Sequence, residues 1–408
     1  MEWPFNHQQR QIAAVADEIG REVLEPNAEE LDRTGMYPRA NLAQTARAGL
    51  NGLLLPELYG GLGLDHVSYA LVAHTLAQYC PSTTMVYVMH MAAVQTVNLA
   101  GDDEQRRRLL PPVRDGALAT LAFSEQASGG HFWYCLSQAL RDGDGYILNK
   151  ESSFVTSAGQ ADWYIVETRA PDGNDPSNLI YLVVYNDQPG VSAGRWRALG
   201  MNGNASGPMR FSNVRVAGKD RIGAEGAGAY WNDNVVDPIF LLGSSACWAG
   251  IARGALDRAV SHATGRFHAD VGRHVADYPV MRHYLARCKV LVSSAEALLF
   301  RAAQRLDELT RAGTPHQEML FDLWELKVHA SDVVIEATNL ALQVMGGMGF
   351  KSGPVERALR DGRAGAVMGP SNEMCLDWIG LRLIGGRVEY WPDRPVAGAP
   401  VTPAVGVS

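Results

Sequence analysis

The run Gln343-Val344-Met345-Gly346-Gly347-Met348-Gly349-Phe350 closes the strongest helical pattern in this chain, and Pro354-x-Glu356-Arg357-x-x-Arg360-Asp361-x-Arg363 follows it. Upstream, Leu323, Ala330, Val333, Ala337, Leu340 and Val344 share one stripe that stops at the glycine pair, a good helix terminator. A second stripe holds Leu285, Cys288, Leu291, Ala295, Leu298, Ala302, Leu306 and Leu309. Two such stripes predict long antiparallel helices of a four-helix bundle over 230–388. A glycine-rich helix end followed by charged groups can wrap a pyrophosphate or an adenine; it can equally be a C-cap with a salt-bridged turn.

Working outward, residues 118–229 change character. Short runs rich in β-branched and aromatic residues (119–123, 153–156, 163–167, 179–185, 209–216) alternate with Gly, Asn, Asp and Pro clusters, which predicts an antiparallel β barrel or sandwich. Residues 1–117 return to helical spacing, with breaks at Gly60-Gly61, Pro81 and Pro111-Pro112. The stretch 389–408, rich in Pro, Ala, Gly and Val, is expected to be an extended tail. The fold class predicted is α+β, in the order helical, β, helical.

Composition excludes several function classes. The 36 basic against 44 acidic residues give a net charge of −8, so the basic surplus that nucleic acid demands is missing. Five cysteines (Cys80, Cys135, Cys247, Cys288, Cys375) without a C-x-x-C pair suggest neither a disulfide framework nor a zinc site, and no metal is expected. The start Met1-Glu2-Trp3-Pro4-Phe5 does not read as a signal peptide, and no membrane partner is expected. A cytoplasmic setting is predicted.

Two further stretches bear on chemistry. Leu121 to His131 reads as a strand entering a small-residue loop, where backbone amides can approach a ring or phosphate and Ser124 offers a hydroxyl; it also reads as an ordinary polar turn. In Phe154-Val155-Thr156 the aromatic and the hydroxyl would share one strand face and cover a planar cofactor, against the alternative of a core Phe beside a surface Thr. Neither a G-x-G-x-x-G nor a Walker motif is present; Gly347 to Gly353 has the wrong spacing and follows a helix.

Six matches in order make the chain resemble the acyl-CoA dehydrogenase superfamily over about residues 7–388. Pro56-Glu57-Leu58-Tyr59-Gly60-Gly61-Leu62-Gly63 is similar to its P-E-x-Y-G-G-x-G, and Ser124-Glu125 stands for Thr-Glu-Pro. Phe154-Val155-Thr156 stands for Trp-Ile-Thr, and Leu199-Gly200-Met201 opens its L-G-M turn. Gln343 to Gly349 resembles Q-x-x-G-G-x-G, and Arg357, Arg360 and Asp361 resemble R-x-x-R-D. The resemblance implies a homotetramer or homodimer with FAD between the β unit and the C-terminal bundle. It implies flavin contacts from Phe123, Ser124, Phe154, Thr156 and Ser371. Gln343, Gly346, Gly347 and Arg266 would reach the FAD of a neighbouring subunit.

The resemblance breaks where the reaction needs a base. The family removes the α-proton of an acyl thioester with a carboxylate while hydride passes to the flavin, and a proton that weakly acidic demands a positioned base. The usual Glu after R-x-x-R-D is Gly369 here, and the alternative position on an earlier helix is Phe240. Glu373, His131 and Asp237 are the candidates for a relocated base, each weighed against a plain structural role. Gly369, Pro370 and Gly130 leave room for a bulkier substrate. The leading expectation is oxidation of an acyl thioester, on CoA or a carrier protein, by α,β-dehydrogenation or a related deprotonation. A monooxygenase of the same fold, fed by a flavin reductase and using O2, is the alternative. A non-catalytic flavin-binding subunit is the third reading.

Overall fold

The computed structural model describes residues 3–388, except 129–130, 132–133 and 173–174. Gly130 and the 389–408 tail therefore lie outside the described residues. The chain opens with six helices: α1 (His7–Ile19), α2 (Glu25–Thr34), α3 (Arg39–Arg47), α4 (His66–Ala77), α5 (Pro81–Ala100) and α6 (Asp103–Leu109). Eight strands follow: β1 (Ala119–Ala122), β2 (Leu140–Asp142), β3 (Gly145–Ser152), β4 (Trp163–Arg169), β5 (Leu179–Tyr185), β6 (Val191–Ala193), β7 (Met209–Val216) and β8 (Arg221–Ile222). Then come α7 (Gly228–Trp231), α8 (Asp237–Gly265), the small hairpin β9 (Phe267–His268) and β10 (Arg273–His274), α9 (Pro279–Ala312) and α10 (Leu320–Met345). The described chain ends with α11 (Gly347–Phe350), α12 (Pro354–Gly362), α13 (Ala364–Val367) and α14 (Asn372–Leu383).

Local chemistry sets the helix ends. Asn6 and Gln9 form a reciprocal capping box at α1, and Asp65 caps α4 by accepting from the Ser68 amide at 2.8 Å. The break expected at Pro81 falls between α4 and α5, and Pro81 is the first residue of α5, where its missing N–H costs nothing. Every residue of α4 is buried, and most of α5 and α8 is too, since a helix apolar on all sides must be surrounded by protein. That explains why the continuous helical run Gly228–Gly265 is long and apolar enough to span a membrane: 89% of its apolar window lies inside the protein. Close approach of α4 and α8 rests on Gly250, where a Cβ would sit 2.2 Å from the His74 carbonyl oxygen.

The bundle consists of α8, α9, α10 and α14. Cys288, Ala295, Ala302, Leu306 and Leu309 of the first predicted stripe are buried, with Leu285, Leu291 and Leu298 packed half-buried against them. All six members of the second stripe are buried.

Among the described residues the middle segment forms two four-stranded sheets, ordered β1-β4-β5-β8 and β2-β3-β7-β6, and no closed barrel. Alternation along β4 and β5 divides the core. Trp163, Ile165, Tyr181 and Val183 face the helices, whereas Tyr164, Val166, Ile180, Leu182 and Val184 pack against Tyr146, Leu148, Phe211 and Val214 of the other sheet. Two expectations are corrected. The sheets are not wholly antiparallel, because β1 pairs with β4 in parallel; the long excursion between them supplies the crossover that parallel pairing needs. Residues 153–156 are not a strand: β3 ends at Ser152, and the chain turns so that Val155 donates to the Gly207 carbonyl and Ser157 to that of Asn204. Phe154 and Thr156 thus meet the same cavity from a loop.

Candidate active site

Where the β unit meets α8 and the α12–α14 segment, a cavity of about 520 Å³ opens. One wall comes from the end of β1 and two loops: Leu121, Phe123, Ser124, Phe154 and Thr156. Ser124 ties the loops together, its hydroxyl donating to the Phe154 carbonyl (2.9 Å) and accepting from the Phe154 amide (3.1 Å). Thr156 shares a hydrogen bond of 2.9 Å with Ser206. Phe154 is 67% exposed and meets the Trp196 ring edge-on at 6.3 Å. A large exposed aromatic beside oriented hydroxyls is what a planar cofactor needs for stacking and edge recognition.

A second wall is the 196–206 loop. Met201 and Ala205 adopt positive φ without being glycine (57° and 49°), and Ser157 across from them does the same (66°). Such residues persist only where neighbours over-determine them, and here the backbone bonds from Ser157 to Asn204 and from Ala158 to Ala205 do so. The loop is pinned to α12: Asp361 accepts from the Met201 amide at 2.6 Å, and Arg360 donates to the Leu199 carbonyl at 3.2 Å. Burial drives the Asp361 carboxyl up to about 6, more than its amide and arginine partners pull it down.

The remaining wall holds Val367, Met368, Gly369, Ser371 and Met374, together with Val236, Asp237 and Phe240 from the start of α8. Gly369 and Phe240, the two positions where the resemblance would set the base, therefore line one cavity. Ser371 caps α14. Asp237 stands one turn before Phe240, follows a π-turn (Asn232–Val236), is 8% exposed, and has one carboxylate oxygen, Oδ1, without a hydrogen-bond partner. Burial, reinforced by the negative charges of Asp233 and Glu167, pushes its carboxyl well above the ordinary carboxylate range.

The other two candidates lie elsewhere. Glu373 is exposed on the first turn of α14, and hydrogen bonds from its own backbone amide and from Ser371 hold its carboxyl below the usual range. His131 is exposed, its Nδ1 within 3.0 Å of the Ser128 carbonyl. Neither lines the cavity. Arg266, Gln343, Gly346 and Gly347 are all exposed and away from it, and the space where a Cβ would stand at either glycine is open to 4 Å. Sequence reasoning missed Met89, Trp196, Asn204 and Ser206, which come from remote elements and carry no local signal; Arg363, from the charged run after the glycine-rich helix end, does line the cavity.

Family models for the acyl-CoA dehydrogenase N-terminal, middle and C-terminal domains match residues 6–117, 120–214 and 242–384, in that order. The chain belongs to the acyl-CoA dehydrogenase family. A probable acyl-CoA dehydrogenase of Mycobacterium tuberculosis, FadE25, is 28% identical over 91% of this chain and 93% of its own length. The butyryl-CoA dehydrogenase structure from Megasphaera elsdenii superposes with a TM-score of 0.87 at 25% identity, covering 94% of this chain and all of that one. The prolyl acyl carrier protein oxidase AnaB shares the fold, with a TM-score of 0.83 at 22% identity over 93% and 99% of the two chains. This family member is accordingly a flavin-dependent oxidoreductase of CH–CH bonds with FAD as its cofactor. The cavity fits that group: it offers an exposed ring face, paired hydroxyls and an apolar lining.

Proposed function

We propose that the protein dehydrogenates an acyl thioester between Cα and Cβ, with Asp237 as the base that takes the α-proton. The observation behind this reading is the buried carboxyl of Asp237, with an unpartnered oxygen, in the same cavity as Gly369 and Phe240. FAD supplies the hydride acceptor. Phe123, Phe154 and Thr156 would seat its ring system, Ser124 would hold their two loops in register, and Ser371 would meet it from the opposite wall. Burial and the negative charges of Asp233 and Glu167 raise the affinity of Asp237 for a proton, the direction a general base requires. The volume left by Gly369 beside Pro370 favours an acyl group bulkier than a straight chain, carried on CoA or on a carrier protein. In an oligomer, Gln343, Gly346, Gly347 and Arg266 would serve the FAD of a neighbouring subunit.

Anaerobic stopped-flow with a panel of CoA- and pantetheine-linked acyl thioesters tests the reading. Bleaching of the bound flavin is expected, slowed by roughly 10²–10⁴-fold in Asp237→Asn. Equal rates for the parent and D237N would remove Asp237 from the role. If no thioester bleaches the flavin and reduced flavin instead drives substrate-dependent oxygen uptake, the monooxygenase reading replaces this one.

A further inference from the structure

A buried polar network runs behind the cavity, from one wall to the other. Glu167 on β4 is fully buried. Its Oε2 accepts from the Asn232 amide at 2.7 Å, and Asn232 begins the π-turn that leads into Asp237. The Tyr181 hydroxyl from β5 bonds the other end of the Asn232 side chain. Oε1 of Glu167 accepts from the Cys135 thiol at 3.4 Å. Lys150 on β3, 3% exposed, donates to the Glu167 main-chain carbonyl (2.6 Å) and to that of Phe123 (2.9 Å), a residue of the cavity wall. A carboxylate, an ammonium and an amide fully withdrawn from water cost stability unless each is satisfied, and an all-apolar packing here would avoid that cost.

We propose that Glu167 is a positioning residue for the cavity: through Asn232 it anchors the π-turn that aims Asp237, and its negative charge acts on that carboxyl from behind the wall. The proposal rests on the reading of Asp237 as the base and adds how that group is held and tuned. The groups facing Glu167 are Lys150 from β3, Cys135 and Glu125 from the loops after β1, Tyr181 from β5, and Asn232 and Asp237 from the π-turn and α8; Asp237 itself also faces Asp233 of the π-turn and Cys375 of α14. Burial raises the Glu167 carboxyl to about 7 against the pull of Lys150, Asn232 and Cys135, so its charge changes within the range where an enzyme works. When it ionises, Asp237 is held protonated more firmly.

Two variants of the full-length, FAD-loaded protein test this. Glu167→Gln keeps an acceptor for Asn232 but removes the charge; Asn232→Ala removes the bridge. The readout for charge is an infrared pH titration of the protonated carboxyl stretch, assigned to Asp237 by its disappearance in D237N. In E167Q its midpoint should move to lower pH, while amide hydrogen exchange over 230–240 stays as in the parent. In N232A exchange over that segment should accelerate by about tenfold or more. An unmoved midpoint in E167Q, or unchanged exchange in N232A, overturns the proposal. Failure of Asp237 as base would show separately, as parental flavin reduction by D237N.

Discussion

At Asp237 the proposed role as base carries a stability cost within one side chain. A carboxyl whose proton affinity is raised by folding binds that proton more tightly in the native than in the unfolded state, so stability falls as pH climbs from the unfolded value toward the folded one. D237N should therefore raise the melting temperature at neutral pH, and the gain should shrink toward zero below about pH 4, where Asp is protonated in both states. A scanning-calorimetry series across pH checks this, and a flat difference would contradict it. His131→Ala and Glu373→Gln, both outside the cavity, should reduce flavin within about threefold of the parent in the assay that separates D237N, in keeping with the small effects of exposed substitutions. Sequence alone put Asp237 behind Glu373 and His131 among these three candidates, each an ionisable residue at a plausible distance along the chain. What separates them is burial and an unpartnered oxygen, properties of the packed chain.

Between elements, the helical core depends on close contact of α4, α8 and α9. Gly250→Ala would drive a methyl into the His74 carbonyl and is expected to cost about 1–3 kcal/mol, read as a lower denaturant midpoint. On the α9 side, Glu296 is bonded by Arg253 (2.5 Å) and by His74 (3.1 Å). Burial pushes its carboxyl up, but the hydrogen bonds from His74 and Arg253 and their charges outweigh burial and hold it at about 2. Its contribution is present above the unfolded pKa and is lost as pH falls from roughly 4.3 toward 2. Glu296→Ala should destabilise by about 3 kcal/mol near pH 7, through the uncompensated Arg253, and by much less near pH 2. The stripes on α9 and α10 were legible because a 3.6-residue period survives any partner. The 153–156 turn was not, because β-branched and aromatic residues there satisfy a strand pattern while their amides find carbonyls at 204 and 207.

Across the molecule, Arg360 joins all three segments. Its guanidinium pairs with Asp32 of α2 at 2.6 Å, bonds Glu356 and reaches the Leu199 carbonyl beside the cavity. Arg360→Ala should loosen the 196–201 loop and weaken FAD retention by about tenfold, the equivalent of one charged hydrogen bond, measured by flavin fluorescence on dilution. The sequence by itself determined the α, β, α order and the two bundle stripes, since periodicity and glycine-rich turns are local and need no partner to be read. It also put Gly369 and Phe240 at the two positions where the resemblance would set the base. Only the tertiary structure decided that those two positions face one cavity, that β1 runs parallel to β4, and that Asp237 is the buried carboxyl among the three candidates. Each of those depends on which surfaces exclude water from which others, and that is fixed when distant segments pack.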